Sequence, residues 1–474
     1  MTLVADRQHA GSLAQLRTCE IDRQPGGDRP AALLILLNPG RFTRHCLIDM
    51  VQAAQRMGIP TYTMELGEVW ELHRSGRPFD AGQLASSLRE RNIGAVLSSS
   101  MNGLLEWPCV FAADGRPVPF FEQLGIPHLM WWTDHPQWAN ERIALREDLQ
   151  AALRSASNHH FVKSDAAAGE LRAMLGWPNC YGLPVAEDPH RLQPAEGIAP
   201  QFDVVTVVGC PPNLDPALEP FLAADDPSVE DIRAVIANAV RTRLEHLWQS
   251  RASKEMIVPL TRFGDEWTNA RRVHALTASW RLFEQLSAAH ADASAWLRRD
   301  YRTYFDAVEI LWAFGRWQRT FYIRYLAKYF RLGVLGADWS GVGLPGGQWV
   351  DHDDQPAAYA QGRVALNSSQ AGDEEGVAHK PFQIAACGAA MAHIDAAGLA
   401  QYFEPQKEVA VFATPREARE VIANLLDDPQ RRTAMARAAR ERLCHEHTWD
   451  HRLTQMLDIA GVPLTRSRLL RSSL

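Results

Sequence analysis

Cysteine is sparse and scattered. Seven occur in 474 residues, at 19, 46, 109, 180, 210, 387 and 444, and no CxxC is present. That excludes zinc ribbons and thioredoxin-type redox motifs. Most of these thiols sit in apolar stretches and read as reduced core residues of a cytoplasmic chain. No GxGxxG follows the first apolar run, and there is no GxxxxGK[ST] and no GxSxG. A dinucleotide fingerprint, a P-loop and a hydrolase elbow are thereby excluded. The longest apolar run, residues 31–37, is far short of the roughly 20 residues a membrane span requires. The polar stretch up to Pro30 has no signal-peptide core. Cations do not prevail: 49 Lys and Arg stand against 56 Asp and Glu, a net charge of −7. No nucleic-acid partner is expected at that balance. The tail, residues 461–474, carries Arg466, Arg468 and Arg471 among leucines. It reads as a solvated end, with weak peripheral membrane association as the alternative.

What is present is ordinary globular material, 46% hydrophobic and 22% charged, long enough for two large domains or three smaller ones. Residues 1–195 alternate strand and helix. Strands are expected at 31–37, 61–66, 93–97, 128–132, 159–162 and 181–185, with polar residues at their ends. This is the pattern of a doubly wound parallel sheet. Residues 187–200, rich in Pro, Glu and Gly, read as a linker. A second sheet starts at 204–208 and is interrupted by a helical insertion, residues 215–331. It resumes at 332–335, 364–366, 390–393 and 409–412, closing the second domain, 196–460. Arg, Trp and Tyr alternate along 316–324, which reads as helix packing or as an acceptor or partner surface. Ligands of such sheets bind outside the strand C-terminal ends. Two such domains facing a cleft suit the joining of two substrates.

His445-Glu446-His447 with His451 is not HExxH and reads as structural. The informative stretch is 363–452. In order it carries a strand ending Leu366-Asn367; Lys380 then Phe382 and a helix ending Ala386-Cys387-Gly388; Phe403-Glu404-Pro405; Lys407-Glu408-Val409 before a short strand; Asp427-Asp428-Pro429; and His447-Thr448-Trp449 before Arg452. This resembles the C-terminal half of the glycosyltransferases related to the spore-maturation protein CgeB, within the group-1 glycosyltransferase set. The likeness extends more loosely to 204–209, Gly336 and the Thr133-Asp134-His135-Pro136 strand end.

The resemblance implies a GT-B fold, with two Rossmann-like domains facing a cleft and the insertion in the second. It implies transfer of a sugar from a nucleotide-diphosphate sugar on the C-terminal domain to an acceptor on the N-terminal one. No tightly bound cofactor is expected, and no essential metal. Protein, surface glycan and small-molecule acceptors all stay open. Gly209, Trp339, Asn367, Glu375, His379, Lys380, Gln383 and Gly388 are the donor-site candidates. A helix start near Pro381 with Lys380 and His379 suits a diphosphate, Gly209 lets backbone approach, and Gly388 makes a turn. Trp339 stacks on a base or packs. Gln383 stands where the wider group has an acid for the ribose hydroxyls. The earlier acid of the retaining pattern falls on Glu375, which reads equally as a loop acid. Asp134 and His135, with Lys380, are the catalytic candidates. Asn38 with Arg41, residues 98–102, and Lys163-Ser164-Asp165 are acceptor-side candidates. A nucleotide-sugar epimerase and a catalytically silent donor- or glycan-binding partner are the alternatives.

Overall fold

The computed structural model describes residues 17–18, 31–74, 81–102, 110–111, 117–209, 214–336, 339–345, 347, 349–368 and 371–462. Cys19, Cys109, Cys210 and the arginines of the tail lie outside them. The chain divides into two units, Met1–Pro184 with Thr448–Leu474, and Val185–His447. This differs from a division at residue 195 in two places. The last helix goes with the first unit, and residues 185–195 go with the second.

In the first unit the strands are β1 (Ala32–Leu37), β2 (Thr61–Glu65), β3 (Ile93–Ser99), β4 (His128–Trp131), β5 (Asn158–Val162) and β6 (Cys180–Gly182). Their helices are α1 (Arg41–Arg56), α2 (Leu66–Arg74), α3 (Ala81–Glu90), α4 (Glu147–Leu153) and α5 (Asp165–Leu175). The sheet has seven strands in the order Arg17–Thr18, β2, β1, β3, β4, β5, β6, parallel except for the first. All six residues of β1 are buried, as a continuous apolar run covered on both faces requires. The last helix, α15 (Trp449–Ile459), joins this unit through fixed contacts. Arg56 grips Asp450 with two bonds of 3.0 and 2.6 Å, and Trp449 packs edge-on against Trp131 at 4.9 Å.

The second unit has β7 (Phe202–Val208), β8 (Leu332–Gly336), β9 (Gly362–Asn367), β10 (Met391–Ile394) and β11 (Ala410–Phe412) in the order β8-β7-β9-β10-β11, all parallel. Between β7 and β8 runs the helical insertion: α6 (Val229–Arg251), α7 (Lys254–Val273), α8 (Ser279–Ser287), α9 (Ala291–Arg299), α10 (Tyr301–Leu311) and α11 (Ala313–Leu326). After β9 come α12 (Lys380–Ala386), then α13 (Pro415–Asp427) and α14 (Pro429–Glu446).

Apolar spacing within the insertion reads as helices over 267–290 and 294–305, and each is split. The pattern over 267–290 breaks after Val273, where Arg271 turns to the carbonyls of Ala275 and Thr277 at 2.5 and 2.8 Å. The pattern over 294–305 breaks at Asp300, whose carboxylate accepts the Thr303 N–H at 3.1 Å. Apolar periodicity runs through a capping residue, so it conceals the break. Along 316–324 the packing alternative is the one observed. Trp317, Phe321 and Tyr322 are buried, and the Tyr322 hydroxyl donates to the Ala413 carbonyl at 2.9 Å. Arg316 pairs with Glu309 at 3.1 Å.

Polar burial is handled largely by neutral imidazoles. His160 donates from Nε2 to the Leu153 carbonyl at 2.9 Å and accepts the Trp132 indole N–H at Nδ1. His128 donates to the Ser98 hydroxyl, which itself donates to the Ser100 carbonyl. Burial pushes His128 down to about 3, and His160 and His393 down to about 4. The unfolded chain takes up these protons below about 6.5 while the folded chain refuses them, so stability is lost as pH falls. The loss should be about 1.4 kcal/mol per pH unit for each histidine. Urea midpoints measured from neutral pH down to about pH 5 should fall steadily. A flat profile would mean that these imidazoles titrate normally in the folded protein.

Candidate functional site

In each parallel sheet the chain reverses direction beside its first strand, and the strand ends there form a crevice suited to a ligand. In the second sheet that point lies between β7, ending at Val208, and β9, ending at Asn367. Gly209 follows β7, exposed, with open space where a side chain would project. Gly336 ends β8 at φ +127°, where a Cβ would collide with the Val208 carbonyl oxygen. Only glycine fits that position. Asn367 is 3% exposed, and its amide nitrogen has no acceptor among the described residues.

From Asn367 the chain passes along the strand-end edge to α12. Lys380, the first residue of that helix, is partly buried and holds Gln355 Oε1 at 3.2 Å. Burial pushes its amine down to about 8, with Arg319 lowering it further against the opposing influence of Cys387 and Glu187. It remains mostly protonated at neutral pH. Gly388 ends the turn after α12 at φ +66°, with Pro194 packed against it.

Behind Lys380 lies a buried network that the sequence did not reveal. Glu187 is 0% exposed. Its Oε1 accepts the Asp188 N–H at 3.0 Å and the His352 Nε2–H at 3.3 Å. His379 Nε2 lies 2.9 Å from Oε2, with its N–H aligned on the Ala186 carbonyl at 3.0 Å. The Gln383 amide nitrogen donates to His352 Nδ1 at 3.0 Å. Burial opposes the charge on Glu187, but His379 and His352 outweigh it and hold the carboxyl well below its ordinary range. Burial holds His352 low in spite of Glu187, so it acts as the neutral donor.

Several expectations change. His379 and Gln383 belong to this network rather than to an open donor surface. Gln383 is 1% exposed and leaves only its carbonyl oxygen without a partner among the described residues. Trp339 is fully buried, so it packs and offers no ring face to a base. Glu375 accepts the Ala278 N–H at 2.9 Å and Arg281 Nε at 2.6 Å, and Glu374 accepts from the Ser279 N–H and hydroxyl. Both acids thus cap α8. Residues 187–200 are not a linker throughout: Glu187, Asp188 and Leu192 are buried. Arg440 ties that segment down through the carbonyls of Leu192, Pro189 and Ala386.

In the first sheet Asp134 follows β4, half-exposed, with Lys163 Nζ 3.6 Å from its carboxylate. His135 is not a free base. Its Nε2–H donates to Glu170 at 3.0 Å and its Nδ1 accepts the Gln137 N–H. Asn38 closes an Asx turn on the Gly40 N–H at 2.8 Å. Ser164 caps α5 through Ala167. Residues 98–102 are buried, and Ser98 is committed to His128. The side chain of Arg41 lies outside the described residues. His447 donates to the Tyr402 carbonyl, and His451 closes a capping box with Thr448, both structural roles.

Residues 318–458 match a family model described as glycosyl transferase-like. That stretch takes in β8 to β11 and α12. No curated protein matches the chain by sequence. Similar solved structures include a glycosyltransferase from Rickettsia africae, at 8% identity over 92% of this chain and 98% of that one, TM-score 0.44. HepE of Anabaena, in complex with UDP and glucose, is 12% identical over 91% and 99%, TM-score 0.43. Sucrose-phosphate synthase from Thermosynechococcus elongatus is 12% identical over 91% and 98%, TM-score 0.41. Each of the two units is built on a parallel α/β sheet, as expected from the sequence. No helix among the described residues is long and apolar enough to cross a membrane.

The network makes a stability prediction. Glu187→Ala leaves His352 without its buried acceptor and His379 without its neighbouring carboxylate, and should cost about 3–5 kcal/mol. Glu187→Gln keeps an acceptor for His352 and should cost less. Urea unfolding of both variants measures this, and a cost under about 1 kcal/mol for the alanine variant would contradict the network's role.

Proposed function

We propose that the chain is a CgeB-like glycosyltransferase that moves a sugar from a nucleotide-diphosphate donor to an acceptor hydroxyl. The donor site is the strand-end edge of the second sheet, between Gly209 and Asn367. One observation carries the reading: Asn367 presents a buried amide with no acceptor among the described residues, at the point where the sheet reverses direction. An unpaired buried donor costs about 1–3 kcal/mol, which a ligand oxygen would recover. The glycosyl transferase-like match over 318–458 supports the same half of the chain.

In the transfer, the bond between the anomeric carbon and the phosphate oxygen breaks, and its electron pair leaves with the diphosphate. The Lys380 ammonium opposes the developing charge. The acceptor oxygen forms the new bond and gives up its proton. In an inverting transfer a base must take it. In a retaining transfer the leaving phosphate oxygen takes it.

A thermal-shift screen with UDP, GDP, TDP and CMP tests the reading. One nucleotide should stabilise the protein by about 3 kcal/mol at a hundredfold excess over its dissociation constant. Lys380→Ala should weaken that nucleotide at least tenfold. Silence across the panel would overturn the reading and favour a silent partner protein, which the replacement of the expected acid by Gln383 would then explain.

A further inference from the structure

The three segments that follow β7, β8 and β9 are poor in cations. Residues 209–215, 337–361 and 368–379 contain no Lys and no Arg. Lys380 is the one basic residue these segments lead to, yet a diphosphate carries two or more negative charges. A second cation must come from elsewhere in the unit.

Arg319 meets that need. It lies on α11, the last helix of the insertion, one turn beyond Gly315. Gly315 rests against Ala371, where a Cβ would stand 3.2 Å from the Ala371 Cα. That contact seats α11 on the segment joining Asn367 to Lys380. Arg319 makes no hydrogen bond or ion pair with any described residue, and its Nε is buried without a partner. Asp373 is the acid whose charge reaches it, and burial still holds the guanidinium below its ordinary value. Its charge in turn acts on Lys380, whose other charged neighbour, Glu187, is committed to His352 and His379. Two partly buried like charges repel and gain nothing from each other, so an anion between them repays both.

We propose that Arg319 and Lys380, with the Asn367 amide, form an anion site for a pyrophosphate group, to which the helical insertion contributes the guanidinium. The inference rests on the donor reading for its biological ligand, but the anion site stands on its own geometry. It gives the insertion a donor-side role in place of an acceptor-side one.

The test uses the full chain, inorganic pyrophosphate, and the nucleotides of the screen above, with Arg319→Met and Arg319→Lys. Arg319→Met keeps the length and apolar stem and removes the charge. It should raise the melting temperature of the unliganded protein by a few degrees, because a partly buried charge with no hydrogen-bonding partner among the described residues is gone. It should weaken pyrophosphate at least tenfold in calorimetric titration, and Arg319→Lys should restore part of the loss. Pyrophosphate binding lost in Arg319→Met with no nucleotide binding to the wild type would uphold the anion site and overturn the donor reading. Equal binding of a nucleotide and of pyrophosphate by the wild type and Arg319→Met would uphold the donor reading and overturn the anion site. A wild type that binds neither would overturn both.

Discussion

A carboxylate taken fully out of water must be met by hydrogen-bond donors and positive charge, and Glu187 is such a carboxylate. Meeting that need ties together three segments far apart in the chain. Residues 185–188 supply the acid, the short helical turn His352–Asp354 supplies His352, and the residue before α12 supplies His379. Gln383 closes the loop by returning to His352. Lys380 sits between His379 and Gln383, so its backbone is fixed from both sides. Arg440 secures the other end of α12 by binding the Ala386 carbonyl together with those of Pro189 and Leu192. The strand-end edge of the second sheet is thus held by charge and hydrogen bonding as well as by apolar packing.

Polar satisfaction is also incomplete at that edge. The acids Glu374 and Glu375 spend themselves on capping α8, while His128 Nδ1, His393 Nε2 and Trp248 Nε1 are buried without a partner among the described residues. At the edge, Asn367, Arg319 and the Gln383 carbonyl are left without partners among the described residues. Local rules broken together in one place mark functional sites, where stability is given up for binding.

Much of the architecture was legible in the sequence because its signals are local. The continuous apolar run of β1 announced a strand buried on both faces, and polar strand ends announced parallel sheets. The insertion was legible from its helical period, though its breaks at Val273 and Asp300 were not. The places of Asn367, Lys380 and Gly209 at strand and helix ends could be read from local pattern. The roles of Glu187 and Glu375 could not, because their partners are distant. Glu187 meets His352 across 165 residues, and Glu375 meets Ala278 across 97. The one local hint for Glu187 is its place behind Val185 and Ala186, apolar residues that a true linker has no reason to carry. His135 misled for the same reason, since Glu170 occupies its proton from 35 residues away.

The central claim is that the anion-binding edge belongs to the second sheet. Amide hydrogen exchange with and without saturating pyrophosphate tests it directly, because bound ligand slows the opening of the backbone it touches. Slowing should be confined to peptides carrying Arg319, Asn367 and Lys380. Slowing instead at residues 38–44 and 98–102, the equivalent strand ends of the first sheet, would contradict the account.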